Sequence, residues 1–294
     1  MAFDWQSLTS KVRVLDGAWG TELQKRGLAA GVAPELWNVD SPGHVEAVAR
    51  SYVQAGSDVI LTNTFGANRF VLDSHGAADR VAQLAEAGAR ISKKAAGQEV
   101  KVFASIGPTG RIVMMDEVPR DRISAAFAES AEALAWGGAD AIVLETFNEL
   151  DELALALEAV RKATDVPVVA CMTFASGPDG TMTMMGNKPA DLARLARRAG
   201  AAAVGANCGV GPDNYVKVTA LLREATDLPI WIKPNAGLPQ IVKGQTVFPM
   251  GPQEYASFVP KLIRAGATFV GGCCGTTPEH IRAVRAEVDA HAQR

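Results

Sequence analysis

The sequence has few of the features that mark secreted, membrane-spanning or nucleic-acid-binding proteins. Four cysteines in 294 residues are too few for a disulfide-stabilised scaffold and favour a reducing compartment. No run of 18 or more apolar residues is present, and the first residues lack the basic and apolar blocks of a signal peptide. The net charge is −3 and no basic cluster occurs, so no nucleic-acid partner is indicated. We therefore expect a cytoplasmic protein with neither a membrane nor a nucleic-acid partner.

Strand-length apolar runs recur along the whole chain, and near-continuous runs of this kind are typical of parallel strands buried on both faces. The eight predicted strands are 12–19, 58–65, 101–108, 141–147, 166–174, 202–209, 229–237 and 268–275. The helix-like stretches between and after them are 42–55, 79–96, 121–136, 149–163, 189–198, 214–225, 252–265 and 278–292. This alternation predicts an α/β protein, a single-domain (β/α)8 TIM barrel over residues 1–294. A doubly wound sheet is the alternative, although no G-x-G-x-x-G motif follows the first strand.

Three of the four cysteines lie where a predicted strand breaks into glycine. Cys208 ends the sixth strand, and Cys273 and Cys274 end the eighth. Neighbouring side chains of an extended strand point to opposite sides, so packing does not explain the adjacent pair. One Zn²⁺ held by three thiolates explains all three and leaves the open position of a catalytic site. Cys171 lies inside an apolar run and is interpreted as an ordinary core residue.

The carboxyl ends of the strands should meet at the mouth of the barrel, where chemistry occurs in this fold. Asp16 and Glu145 at these ends suit pairing with a substrate ammonium group, unless they only cap helices. Three thiolates make zinc a poor Lewis acid but suit it to holding a further thiolate that stays nucleophilic. Thiol and ammonium together describe an amino-acid thiol such as homocysteine. The predicted substrate-binding residues are Asp16, Gly17, Thr62, Asn63, Ser105 and Glu145.

Five segments resemble the homocysteine S-methyltransferases, which include betaine–homocysteine methyltransferase and the homocysteine-binding module of cobalamin-dependent methionine synthase. The matching segments are LDGAWGT (15–21), TNTF (62–65), LETF (144–147), NCG (207–209) and GGCCGT (271–276). The resemblance implies a zinc-containing (β/α)8 barrel with the metal on Cys208, Cys273 and Cys274. It also implies that Asp16 and Glu145 contact the amino group of homocysteine.

Within the family, segments 144–147 and 233–237 look most like the methionine-synthase module. That likeness implies that Asn235 supplies a weak fourth zinc ligand, which homocysteine displaces. The betaine enzymes carry a tyrosine after the glutamate, where this chain has Thr146, and the difference argues against betaine as the donor. Trp19 stands where many members carry methionine or another apolar residue, and nothing in the sequence explains it.

We predict from these observations a zinc-dependent homocysteine S-methyltransferase that forms methionine. The expected donor is methylcobalamin on a separate corrinoid protein, or a small onium compound. Methionines after the third and fifth strands suit docking of such a partner, or equally ordinary gap-filling; they are Met114, Met115, Met182, Met184 and Met185. Three alternatives remain: a different thiol or selenol acceptor, a methyl-transfer subunit active only in a corrinoid complex, or an aldolase-like barrel whose segment 271–277 binds phosphate.

Overall fold

A computed structural model describes residues 4–242 and 245–293, and it confirms the predicted barrel. Eight parallel strands form one nearly closed sheet in the order β1-β10-β7-β6-β5-β4-β3-β2. The strands of this sheet are β1 (Arg13–Val14), β2 (Val59–Ile60), β3 (Lys101–Ile106), β4 (Ala141–Phe147), β5 (Val168–Met172), β6 (Ala203–Cys208), β7 (Ile230–Pro234) and β10 (Phe269–Val270). Each lies inside a predicted strand. Seven of the eight are shorter than predicted, because polar residues at their carboxyl ends leave the ladder and turn into the mouth, whereas β4 has the predicted bounds.

β1 and β2 are the first and last strands in this order, and no backbone ladder within the described residues pairs them. Hydrogen bonds that involve two carboxylate side chains connect them instead. Val14 N donates to Asp58 Oδ2 at 2.7 Å, and Asp58 N donates to Val14 O at 2.7 Å. Nearer the mouth, Leu61 N donates to Asp16 Oδ2 at 2.7 Å. Carboxylates therefore take the place of ladder partners here, which satisfies backbone groups that would otherwise be buried without a partner.

Seven of the eight predicted helical stretches match an observed helix within two residues, and four short helices before residue 74 were not predicted. Helices surround the sheet. They are α1 (Trp5–Thr9), α2 (Gly20–Lys25), α3 (Trp37–Asp40), α4 (Pro42–Gln54), α5 (Arg69–Asp73), α6 (Val81–Ala96), α7 (Arg120–Trp136), α8 (Leu150–Ala163), α9 (Pro189–Ala199), α10 (Pro212–Ala225), α11 (Pro252–Ala256), α12 (Val259–Arg264) and α13 (Pro278–Ala292). Short 3₁₀ helices lie at Pro34–Leu36, Ala78–Arg80 and Val113–Met115. No helix of the described part of the chain has the length and apolar character to cross a membrane.

Two features of the last third of the chain differ from the prediction. The expected helix 252–265 is two helices, α11 and α12, because Pro260 lacks an N–H and its ring opposes the carbonyl one turn earlier. A small antiparallel hairpin of β8 (Gln240–Val242) and β9 (Gln245–Val247) follows β7 and was not predicted. The side chains of β8 are exposed, so this strand has no buried face and no apolar alternation to detect.

Aromatic rings fill the lower interior of the barrel. Trp231 stacks on Phe103 with ring centroids 5.6 Å apart, and Trp5 of α1 stacks on the same phenylalanine at 5.9 Å. Cys171 is fully buried in this cluster, as predicted for a core residue. The interior is thus a packed core, and the open space lies above it at the carboxyl ends of the strands.

Candidate active site

The three predicted metal-binding cysteines meet at the mouth of the barrel. The sulfurs of Cys208, Cys273 and Cys274 all lie within 4.8 Å of one another. Zinc–sulfur bonds of about 2.3 Å in a tetrahedron place the sulfurs about 3.8 Å apart, so small side-chain shifts suffice to bind a metal. Cys171, the fourth cysteine, is in the core below. The donor set and spacing therefore fit a soft divalent cation such as zinc.

Electrostatic interactions inside the cluster point the same way. Hydrogen bonds from Cys273 and Cys274 lower the pKa of the Cys208 thiol. The same contacts with Cys208 raise the pKa values of the Cys273 and Cys274 thiols. The close approach of the three sulfurs therefore favours the thiolate form at Cys208 over the other two. A bound divalent cation would replace the remaining thiol protons, because coordination deprotonates a thiol.

Glycines allow the Cys273 segment to pass close to neighbouring chain. A Cβ at Gly271 would lie 2.5 Å from Leu15 Cβ, and one at Gly272 would lie 2.4 Å from Thr276 Oγ1. Both distances are shorter than any tolerated contact, so only glycine fits. The glycines beside the cysteines are therefore needed to bring the eighth barrel strand against the first.

Six of the seven N–H groups of segment 271–277 have acceptors within the protein. Those of Gly271, Gly272 and Cys273 donate to backbone oxygens of β7 and of the chain after β1, and Cys274 N donates to Asn235 Oδ1. The N–H groups at 276 and 277 also have acceptors nearby. A phosphate cradle needs several free N–H groups, so this segment does not support the aldolase-like alternative.

Asn235 links the two segments that carry the cysteines. Its Nδ2 donates to Gly209 O and its Oδ1 accepts from Cys274 N, both at 3.0 Å. The side chain is buried beside the sulfur cluster. One lone pair of Oδ1 is already used, and its role as a weak fourth ligand stays a prediction.

Asp16 is fully buried, and each of its oxygens has a partner. Lys233 donates to Oδ1, whereas Oδ2 accepts from Trp19 Nε1 at 2.8 Å and from Leu61 N at 2.7 Å. Burial alone would lower the pKa of Lys233, but Asp16 and then Glu145 outweigh burial and raise it. A fixed ion pair therefore lies behind the site. The presence of a tryptophan at position 19 is explained by its indole N–H, which donates to Asp16 and orients it.

Glu145 lines the cavity and is 6% exposed. Ser105 Oγ donates to its Oε1, and Asn207 Nδ2 lies 3.3 Å from its Oε2. Burial raises the pKa of this carboxyl to about 7, against the lowering effect of Lys233. A carboxyl in such surroundings lacks a counter-charge, and a substrate ammonium would provide one.

Asn207 also fixes the residue that follows the glutamate. Thr146 N donates to Asn207 Oδ1 at 2.8 Å, and Asn207 Nδ2 donates to Thr146 Oγ1 at 2.7 Å. Thr146 has φ +68°, and Cys208 has φ +65°. Left-handed conformations are costly for non-glycine residues and persist only where the surroundings impose them. They occur here at the carboxyl ends of β4 and β6, both of which face the site.

A cavity of about 650 Å³ joins these groups. Its walls include Gly17, Thr62, Asn63, Ser105 and Glu145, which are five of the six predicted substrate-binding residues, together with all three cysteines of the cluster. The Asn63 carboxamide is nonetheless engaged with the protein, since its Nδ2 donates to Pro34 O and Asn38 Oδ1, each at 2.8 Å. Contact of these residues with substrate stays a prediction.

A family model described as homocysteine S-methyltransferase matches residues 13–288. The chain belongs to the homocysteine S-methyltransferase family. It is 33% identical over 301 residues to the methionine synthase of Mycobacterium tuberculosis, and the match covers 96% of this chain and 25% of that protein. The match to the Mycobacterium leprae methionine synthase is equally extensive. This chain thus spans about a quarter of the length of these two relatives.

Solved structures show the same fold. The homocysteine methyltransferase MmuM from Escherichia coli, in its oxidized form, superposes with a TM-score of 0.77 at 24% identity, covering 97% of this chain and 99% of that one. The metallated form of MmuM gives the same TM-score and identity, with 94% and 96% covered. Family membership identifies the chain as a methyltransferase and confirms the resemblance seen in the sequence.

In this member of the S-methyltransferase family, three residues of the site were not predicted from the sequence to be site residues. Lys233 carried a signal, because a lysine inside an apolar strand demands a buried partner. Asn207 carried none beyond its place before Cys208. Glu35 lies in the short 3₁₀ helix Pro34–Leu36, which has no apolar periodicity, and only the structure shows that it reaches the cavity.

Proposed function

We propose that this chain is a zinc-dependent homocysteine S-methyltransferase that forms methionine. The observation that carries the proposal is the sulfur cluster at one wall of a cavity whose other walls hold Glu145. A zinc ion on Cys208, Cys273 and Cys274 would hold the homocysteine sulfur as a nucleophilic thiolate at neutral pH. MmuM, a homocysteine methyltransferase of the same fold, has been solved in a metallated form, which supports use of a metal by this chain.

The chain's own groups then orient the substrate. We propose that the Glu145 carboxylate pairs with the ammonium group of homocysteine. Ser105 and Asn207 hold this carboxylate in position. Asp16 acts from behind this contact, because its oxygens are already bonded to Lys233 and Trp19. Fixing both ends of the substrate places its sulfur for attack on a methyl carbon and removes the entropic cost of aligning two reactants.

Two classes of donor fit the proposal. Docking of a corrinoid protein is supported by methionines exposed around the mouth, since Met114 is 66% and Met184 is 76% exposed and methionine suits adaptable contacts. The two methionine synthase relatives, which extend far beyond the region matched here, support it as well. A small onium donor is supported by the size of the cavity, about 650 Å³, which leaves room beside homocysteine. We also propose that residues 1–294 act as one domain, in the cytoplasm, where the four free cysteines stay reduced.

The deciding experiment compares Cys273→Ala with Cys171→Ala. Both variants remove a buried or half-buried sulfur, but only the first removes a member of the cluster. We expect Cys273→Ala to lose stoichiometric zinc and methionine formation together, whereas Cys171→Ala keeps both. Homocysteine is assayed in parallel with methylcobalamin, S-methylmethionine, S-adenosylmethionine and betaine. Full turnover without metal, or zinc retained by Cys273→Ala, would contradict the proposal.

A further inference from the structure

A buried lysine, Lys233, lies on the strand between the two strands that lead to the cysteines. It belongs to β7, which pairs with β6 on one side and with β10 on the other. In register it is opposite Asn207, the residue before Cys208. Cys273 N donates at 2.8 Å to Pro234 O, one residue after the lysine. The lysine side chain is 2% exposed and lines the same cavity as the sulfurs, so one enclosed positive charge lies at the end of the barrel that holds the cluster.

Several negative groups act on this charge. A buried ammonium group is costly unless it is paired, and Lys233 donates to Asp16 Oδ1. Burial lowers the pKa of Lys233, whereas Asp16, then Glu145 and finally Cys273 raise it, and the raising effects prevail. The electrostatic field of the lysine therefore reaches beyond its ion pair, to the proposed ammonium acceptor and to the cysteine cluster.

Asp16 has further partners that stabilise its carboxylate without the lysine. Its Oδ2 accepts from Trp19 Nε1 at 2.8 Å and from Leu61 N at 2.7 Å. Hydrogen bonds donated to a carboxylate favour its ionised form. These two donors also fix the orientation of Asp16, and Asp16 in turn fixes the ammonium group of Lys233. Keeping Asp16 ionised is therefore not a sufficient reason for a buried lysine at this position.

Under the proposed function, homocysteine brings further negative charge to the cluster. Three thiolates already outweigh the two positive charges of a zinc ion. A thiol is mostly protonated in neutral solution, so binding of homocysteine as a thiolate releases a proton to solvent and adds a negative charge to the site. The ammonium group of the substrate is proposed to pair with Glu145. Of the cavity-lining residues that the structure describes, Lys233 alone is a lysine or arginine.

We propose that Lys233 provides the counter-charge for the substrate thiolate, and that Asp16 holds the lysine ammonium group in position for this role. On this assignment, which rests on the proposed function, Lys233 determines specificity. The substrate sulfur forms a bond to the methyl carbon with its own electron pair, and the electron pair of the broken bond stays on the donor. The sulfur thereby changes from a thiolate into a neutral thioether. The attraction to Lys233 is present for homocysteine and absent for methionine, so the lysine favours binding of substrate over product.

The ratio of homocysteine affinity to methionine affinity isolates this effect, because contacts with the amino and carboxyl groups that both ligands share cancel in it. Both ligands are titrated calorimetrically into zinc-loaded Asp16→Asn and into zinc-loaded Asp16→Asn/Lys233→Met. Removing both members of the ion pair leaves no buried charge without a partner, a cost that Lys233→Met alone would carry. We expect the ratio to be about 10-fold or more lower in the double variant, the scale of one charge interaction in a partly screened site. An equal ratio in the two variants would overturn the assignment.

A second lysine–aspartate pair provides the matched control. Lys93 Nζ lies 2.8 Å from Asp140 Oδ2, and Asp140 directly precedes β4, at the end of the barrel opposite the cavity. The affinity ratio should be the same in Asp140→Asn and in Asp140→Asn/Lys93→Met. A fall in the ratio there as large as the fall at Lys233 would also overturn the assignment. Wild-type protein that binds no zinc, or binds zinc but not homocysteine, would instead refute the proposed function.

Discussion

Glu145 should make the metal-free and substrate-free protein less stable as pH rises. The side chain is 6% exposed, and burial raises its pKa from 4.5 to about 7, with Lys233 opposing that effect. In the folded protein the carboxyl therefore keeps a proton that the unfolded chain has already lost between pH 4.5 and 7. Its contribution to stability is complete below pH 4.5 and is lost as pH rises through about 7.

The size of the effect follows from the two pKa values. A pKa difference from 4.5 to about 7 corresponds to about 3 kcal/mol of unfolding free energy by proton linkage. The variant Glu145→Gln keeps an oxygen that can accept from Ser105 but cannot ionise. Wild type and variant should therefore be equally stable at pH 4.5, and the variant should be more stable by up to about 3 kcal/mol at pH 8.

Urea unfolding of metal-free protein at pH 4.5, 6 and 8 measures this difference. The variant Ser105→Ala gives a second measurement. The Ser105 hydrogen bond lowers the pKa of Glu145, so removing it should raise that pKa further. The free energy of unfolding should then keep falling up to a higher pH than in wild type. Homocysteine at pH 8 should stabilise wild type more than Glu145→Gln, because its ammonium group pairs with the ionised carboxylate. A stability difference that is constant across pH would refute the reasoning.

Three further predictions concern the backbone and hydrogen bonds of the site. Thr146 has φ +68°. In thermal unfolding, Thr146→Gly should be more stable than Thr146→Ala by about 1 kcal/mol, because alanine is strained in the left-handed conformation and glycine is not. The reverse order of stability would contradict this. Gly17→Ala should lose about 1–3 kcal/mol, because the new Cβ would lie 2.8 Å from Tyr52 Oη; an unchanged melting temperature would count against that packing. Asn235→Ala should weaken zinc binding about 10-fold or more in chelator competition, as losses of outer hydrogen bonds to ligand segments do, because Cys274 N loses its acceptor; unchanged affinity would deny the linking role.

The barrel was predictable because its physics is local. A strand buried on both faces must be apolar throughout, and a helix on the outside must be apolar on one side. Each strand or helix can therefore be recognised from the pattern of its own residues. Prolines at the first turns of α4, α9 and α13 stand where their missing N–H has no cost. Even the break at Pro260 is a local effect, and the sequence contained the residue that causes it.

The cysteine cluster was predictable for a different reason. Cys208 precedes Cys273 by 65 residues, but a glycine beside each cysteine of the cluster indicates close approach of the backbone. The structure shows this approach directly, since side chains at Gly271 and Gly272 would collide with neighbouring residues. Three cysteines, each beside a glycine at a strand end, are therefore enough to predict the cluster from the sequence.

The environment of the carboxylates was not predictable in this way. Asp16 and Lys233 are 217 residues apart, and which partner each charge finds depends on the register of β1 against β10 and β7. A sequence shows that both charges are near strand ends, but not that they neutralise each other. The position of Glu35 is harder still to predict, because a short 3₁₀ helix without an apolar pattern places it on the cavity wall, where Asn63 Nδ2 donates to Pro34 O of that helix.

One amide connects the two halves of the proposed substrate site. Asn207 immediately precedes Cys208 on β6, and its side chain binds Thr146 on the neighbouring part of the barrel and approaches Glu145. The sulfur ligand and the ammonium acceptor are therefore fixed relative to each other through a single residue, with strained backbone on both sides of it. A substrate bound at its two ends must match that separation, and one methylene is worth about 1–3 kcal/mol in such discrimination. Under the proposed function, we therefore expect Asn207 to contribute to selection of an amino-acid thiol by length.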